Sequence, residues 1–157
     1  MTKQEYEICA FYVVMSIVMS GIILLIALCT NGYAEPIVDL SIIAKIESSN
    51  NPFAWNKADD SRGLYQITPI CLKEFNNYHS KKYAARDLWN VKVNREIADW
   101  YFNQRIPQML RYYKVEDTLE NRIIAYNAGI AYLVNKNPIP RITRLYIAKY
   151  RRFSHDK

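Results

Sequence analysis

Between residues 37 and 48 the apolar positions fall on two sides of a helical wheel. At about 100° per residue, Val38, Ile42 and Ile46 share one side and Leu40, Ile43 and Ala44 the other. Ser41, Lys45 and Ser48 fill the narrow polar arc that remains. Glu47 lies outside that arc, on the apolar face, one turn beyond Ile43 and two beyond Leu40. Asn50-Asn51-Pro52 then stops the helix, because the residue before proline is pushed out of the helical region and Asn tolerates turns. Downstream the pattern is again helical. Thr68-Pro69 reads as an N-cap with proline in the first helical position, starting a helix to about Asn76. Asn76 to Arg86 is polar and reads as a surface loop carrying His79, and Asp87-Leu88-Trp89 opens the next element.

From about Lys92 to Tyr113, Val93, Ile97, Trp100, Tyr101, Ile106, Met109 and Leu110 recur at helical spacing, with Pro107 as a kink or break and the aromatics as core. Asp117 and Glu120 have the spacing of a capping box for a helix ending near Gly129. A further helix covers about Ile130 to Asn135. Pro138 and Pro140 separate it from a last helix, about Arg141 to Phe153. Strand alternation is confined to a short piece at Leu64 to Ile67. The fold class is mainly α, in a chain of 157 residues that suits one domain.

The first segment differs. Ile8 to Cys29 holds no charged residue, and these 22 positions reach roughly 33 Å as a helix, enough to cross a bilayer core. Gly32-Tyr33-Ala34 has the small residues of a signal-peptidase site before Glu35. Lys3, however, is offset by Glu5 and Glu7, and the apolar run exceeds an ordinary signal core. Residues 1–34 are therefore either a cleaved signal or a retained N-terminal hydrophobic anchor, and residues 35–157 form an exported domain under both readings. Leu28 is bulky where a small residue normally precedes a lipidated cysteine, which argues against lipidation at Cys29.

Charge adds a class of partner. The chain has 21 Lys+Arg against 15 Asp+Glu. Without residues 1–34 it would keep 20 basic and 13 acidic side chains. An acidic partner follows, be it nucleic acid, a membrane surface or an anionic wall polymer. No like-charge block or low-complexity run is present, which argues against a disordered nucleic-acid tail. Cys71 would be the one cysteine of the exported part, so it has no internal disulfide and reads as a small buried apolar residue. The two histidines, His79 and His155, stand far from it in sequence, and no His, Cys and Asp spacing resembles a zinc set. No metal or cofactor is called for.

A carboxylic acid on an apolar face is disfavoured as an anion, so its pKa rises and it holds a proton near neutral pH, as a general acid must. The pattern alone equally allows Glu47 to be the wet last residue of its helix. Three separated motifs bear on that choice: Glu47-Ser48 with Asn51-Pro52-Phe53-Ala54, then Gly63-Leu64-Tyr65-Gln66 with Pro69, and far downstream Ala125-Tyr126-Asn127-Ala128-Gly129. In this order they resemble the lytic transglycosylases of the soluble-lytic-transglycosylase (SLT) type, relatives of goose-type lysozyme.

The resemblance covers about residues 37 to 150. It implies a single lysozyme-like helical domain that cleaves the bond between N-acetylmuramic acid and N-acetylglucosamine in peptidoglycan, forming a 1,6-anhydro product. Glu47 would be the acid and then the base. Ser48, Gln66, Tyr126 and Asn127 would serve the sugar groove, and Tyr146, in Thr143-Arg144-Leu145-Tyr146-Ile147, would approach the acid. Tyr65 stands where the family usually has Met, Asn56 where a serine is common, and Ile142 where a glutamate often precedes Thr-Arg.

The implied partners are peptidoglycan glycan strands, an inner-membrane tether and a secretion or conjugation apparatus, with no nucleic acid, in the periplasm or cell envelope. Two alternatives stand beside it. One is a lysozyme-like hydrolase using Asp59 or Asp60 as second carboxylate. The other is a weakly active wall-binding component of such an apparatus.

Overall fold

The computed structural model describes residues 37–156 and, apart from them, Met15. The expectations for residues 1–34, a hydrophobic helix among them, lie outside the described residues. Among the described residues no helix is long and apolar enough to cross a membrane.

The domain is mainly helical. Helix α1 is Leu40–Ser48, followed by β1 (Trp55–Asn56) and β2 (Ser61–Arg62). Then come α2 (Pro69–His79), a 3-10 turn (Ala85–Trp89), α3 (Val91–Trp100), a π turn (Tyr101–Arg105) and α4 (Ile106–Tyr112). Helices α5 (Leu119–Asn127), α6 (Ile130–Val134) and α7 (Arg141–His155) complete it.

Helix α1 starts at Leu40 because the Asp39 carboxylate accepts from Ser41 N at 2.9 Å, capping the first turn. Ile42, Ile43 and Ala44 are buried. The helix ends in two successive left-handed residues, Ser49 (φ 54°) and Asn50 (φ 64°), both of whose N–H groups turn back to Ala44 O. Glu47 thereby sits in the last turn, beside a loop. Helix α7 lies against α1, where Tyr150 Oη accepts from Asp39 N at 2.8 Å.

Three expectations need correction. Helix α2 does not stop at Asn76 but runs to His79, so His79 is not on a loop. The extra turn stacks Phe75 and His79 (ring centroids 4.5 Å apart) against Trp100, 5.3 and 5.6 Å away. Just before Pro107, where a kink or break is expected, the α-helical run is interrupted by the π turn between α3 and α4. Pro107 has no N–H to offer the preceding turn, and the backbone absorbs this by widening: Ile106 N–H reaches Tyr101 O, five residues back.

Asp117 does not form a capping box with Glu120. Thr118 is the N-cap, its hydroxyl accepting from Asn121 N at 3.1 Å. Asp117 instead pairs with Arg122 through two bonds of 2.6 and 2.8 Å, and Arg122 is 1% exposed, so its charge needs that carboxylate. Lastly, Leu64–Ile67 is a turn. The strand pairing is antiparallel between β1 and β2, Trp55 opposite Arg62 and Asn56 opposite Ser61, with one further bridge from Arg62 to Ile67. Positive φ at Gly63 (80°) and Gln66 (47°) reverses the chain between Arg62 and Ile67.

Candidate active site

Two adjoining cavities, of about 630 and 510 Å³, meet at Glu47, Asn127 and Ile142, which line both. The larger runs under the loop side, past Asp59, Ser61, Gln66, Tyr101 and Tyr126. The smaller follows one face of α7, past Leu145, Tyr146, Lys149 and Arg152.

The Glu47 carboxyl sits at this junction. Tyr146 donates its hydroxyl to Oε1 at 2.8 Å, and Oε2 has no hydrogen-bond partner among the described residues. Burial pushes the carboxyl up from 4.5 to about 7, opposed by the Tyr146 hydrogen bond and assisted by the negative charge of Asp59. Burial and the neighbouring Glu47 raise the Tyr146 phenol well beyond its ordinary range, so it donates at every working pH. Glu47 is therefore still partly protonated in neutral water, with Oε1 fixed by Tyr146. That is the geometry of a proton donor.

The loop wall is fixed by amides. Asn94 is fully buried on α3. It accepts from Tyr65 N at 2.9 Å and donates to Arg62 O at 2.9 Å and Leu88 O at 3.0 Å. Gly63 is what lets it approach: a Cβ there would lie 2.3 Å from Asn94 Nδ2 and 2.5 Å from Leu88 O, at a φ that disfavours side chains. Gln66 lines the larger cavity, but its Nε2 donates to Ala54 O at 3.1 Å and Gly63 O at 2.9 Å, and its Oε1 accepts from Ser61 Oγ at 3.0 Å. Both of its donors thus hold the loop, and only acceptor capacity remains for a ligand.

The helical wall is held by tyrosines and one threonine. Tyr126 donates to Tyr65 O and stacks on Phe102 with ring centroids 4.2 Å apart, joining α5 to the loop. Thr143 donates to Asn127 Oδ1 at 2.7 Å and so orients that amide at the seam.

The structure thus brings Glu47, Gln66, Tyr126, Asn127 and Tyr146 to one cleft. Ser48 lines neither cavity; its hydroxyl donates to Ala44 O at 3.1 Å and secures the helix end. Of the two aspartates weighed as second acid, Asp60 is held by Arg62 and by Trp55 Nε1, whereas Asp59 lines the cleft. Cys71 is buried, and burial pushes its thiol up to about 12, so it is no nucleophile. Tyr101, read as core, is only partly buried and lines the cleft. Asn94 was not singled out in the sequence, although its signal has the same form as that of Glu47: it shares a stripe with Ile97, Ala98 and Tyr101, a polar residue on an apolar face. Among the described residues no cluster of His, Cys, Asp and Glu could hold a metal ion.

The helical domain thus carries a partly buried carboxyl of raised pKa at the seam of two adjoining cavities. A family model for the transglycosylase SLT domain matches residues 28–139. That match spans well over half of the chain, which belongs to this family and is a peptidoglycan lytic transglycosylase. No curated protein and no solved structure matches it.

Proposed function

We propose that Glu47 alone carries the acid and base chemistry of an exported enzyme that cuts the MurNAc-GlcNAc β-1,4 bond and leaves 1,6-anhydro-MurNAc. The observation that carries this reading is the carboxyl at the cavity junction, raised to about 7 and held on one oxygen by Tyr146. Oε2 delivers its proton to the glycosidic oxygen as the C1–O bond breaks, and the 2-acetamido oxygen closes on C1. The Glu47 carboxylate then removes the proton of the muramyl 6-hydroxyl. O6 attacks C1, the acetamido oxygen leaves, and Glu47 is protonated again. Water is not consumed. A group that switches from acid to base within one turnover needs a pKa near the working pH, and such catalysis is worth roughly 100- to 10,000-fold.

Gln66 offers its amide oxygen to sugar hydroxyls and acetamide N–H groups, Asn127, whose oxygen accepts from Thr143, offers its amide N–H groups to sugar oxygens, and Tyr126 forms part of the groove wall. Ser48 acts by holding the end of α1. Export follows from the uncharged run Ile8–Cys29, as signal or anchor, and from a substrate that lies outside the cytoplasm; a secretion or conjugation apparatus is the setting such a small exported enzyme suits.

Asp59 gives a second reading its one support: it lines the same cleft and its charge reaches Glu47, as a hydrolase's water-activating carboxylate would. Mass spectrometry of soluble products from purified peptidoglycan separates the two. Anhydro-muropeptides from wild type and none from Glu47→Gln support the transglycosylase. Reducing-end muropeptides would make it a hydrolase.

A further inference from the structure

Helix α7 carries a charged face that the cleavage chemistry does not use. It holds Arg141, Arg144, Lys149, Arg151 and Arg152 and no Asp or Glu. Its buried side is Thr143, Tyr146, Ile147 and Tyr150. Arg141, Arg144 and Arg151 recur at three and seven residues on the opposite, exposed side, with Ala148 between them. These three arginines line neither cavity of the cleft, which borders α7 on another flank, along Ile142, Leu145 and Tyr146. A flat partner lying on the arginines therefore does not have to close it.

Little negative charge faces them. Glu120 pairs with Arg151 in an exposed contact that water screens, and Asp156 follows the helix end. Arg144 donates to a neutral group, Ile139 O, and Arg141 meets no carboxylate among the described residues. A strip of arginines of this kind suits an extended anionic surface rather than a small anion in a pocket. Two observations point to lipid headgroups. The first is where the chain enters the domain: Asp39 N donates to Tyr150 Oη at 2.8 Å, so Ile37, two residues earlier, starts beside α7. Only Thr30 to Pro36 separates Ile37 from the uncharged run that ends at Cys29, and these seven residues reach at most about 25 Å. The second is that exposed Ile142 and Leu145 follow Arg141 and Arg144 directly, and apolar groups beside cations are the make-up of a surface that enters a headgroup layer.

We infer that the α7 arginines dock on the anionic phospholipid of the membrane in which Ile8–Cys29 is anchored, holding the cleft at a fixed distance from the bilayer. This rests on the retained-anchor form of the export reading above and is independent of which product Glu47 makes. It also gives a use to part of the excess of basic side chains that the composition left without a partner.

The test uses the full chain in lipid nanodiscs, with carbon-13-labelled alanine methyls and a lipid bearing gadolinium on its headgroup. Ala148, among the arginines, and Ala58, in the turn between β1 and β2, are both exposed and serve as probe and control. In discs with about one-third phosphatidylglycerol, relaxation enhancement at Ala148 should exceed that at Ala58 by about threefold or more. The ratio should fall toward one in phosphatidylcholine discs, and likewise in about 1 M salt, where the Debye length is about 3 Å. Arg141→Glu and Arg151→Glu should each bring the ratio at least about halfway to one, and Arg141→Lys should keep it. The signals of buried Ala98 and Ala125 check that each variant is folded.

A ratio near one in the anionic discs would overturn the docking and leave the anchor standing. So would a high ratio that survives in phosphatidylcholine, in high salt or in both reversals, since the contact would not be one of charge. Release of the full chain from phosphatidylcholine discs would overturn the anchor, and the docking with it. If soluble peptidoglycan fragments shift the Ala148 signal and anionic discs do not, the face belongs to the wall and the inference fails.

Discussion

The loop wall and the helical wall of the cleft are held by different physics. From Asn51 to Ile67 the polar contacts are local or run to the buried Asn94 amide and the Tyr126 hydroxyl, and they fix backbone: Tyr65 N and O, Arg62 O, Gly63 O and Ala54 O are all bound by side chains. The helical wall is pinned through hydroxyls that reach across the chain, Tyr146 to Glu47 and Tyr150 to Asp39, over 99 and 111 residues. The loop wall supplies shape and has little freedom left. The helical wall reaches the acid and sets how readily it gives up its proton. A groove that must grip a polymer and also tune one carboxyl thus divides the two tasks between its sides.

The seam comes first. Glu47→Gln should lower turnover by roughly 100- to 10,000-fold while leaving both walls in place. It should also stabilise the protein. Because Glu47 is raised from 4.5 to about 7, the folded state binds its proton more tightly than the unfolded chain does. That contribution is fully present below pH 4.5 and lost as the pH rises through about 7, a span equivalent to about 3 kcal/mol. Denaturant titration should find the variant more stable than wild type at pH 8 and near equal at pH 4. Equal stability at both values would mean the carboxyl is not raised.

On the loop wall, Gly63→Ala puts a Cβ into Asn94 and Leu88 O at a positive φ, and a loss of about 2–4 kcal/mol is expected. Asn94→Ala strands Tyr65 N, Arg62 O and Leu88 O and should cost about as much. Both should appear in thermal melts, and activity should fall only where the fold is lost. A fully stable, inactive Gly63→Ala would instead make the loop a direct participant.

The helical wall should answer differently. Tyr146→Phe removes the hydrogen bond that lowers the Glu47 pKa, so the alkaline limb of the pH–rate profile should move to higher pH, with turnover down by about tenfold. Smallest of all, Asp59→Asn removes a charge that raises Glu47, so the limb should move down, by roughly half a pH unit or less, with activity kept. Abolition of activity by Asp59→Asn would favour the hydrolase.

How much of this could be read from the sequence follows the same division. Glu47 stood out because a helical period of one segment placed an acid among Leu40, Ile43 and Ala44, and helical periodicity is local. The α7 boundaries were legible for the same reason, between Pro140 and the end of the tyrosine stripe. Tyr146 came within reach of Glu47 only through resemblance, since no local pattern encodes a contact across 99 residues. The strands escaped notice because two-residue strands carry no alternation, and Asp117 was misread because the need of a buried Arg122 outweighed a favourable capping spacing. Gln66 was legible as a motif residue, but not that its donors close the loop, which depends on where Ala54 and Gly63 present their carbonyls.

The central claim is that Glu47 holds its proton to about pH 7 and that this proton is the one transferred. The most direct test is carbon-13 NMR of a protein labelled at glutamate carboxyls, with the Glu47 signal assigned by Glu47→Gln and followed against pH beside kcat/KM. The expected result is one titration near 7, coinciding with the loss of activity on the alkaline side and displaced upward together with it in Tyr146→Phe. A Glu47 signal titrating near 4.5, with the activity limb elsewhere, would contradict the account.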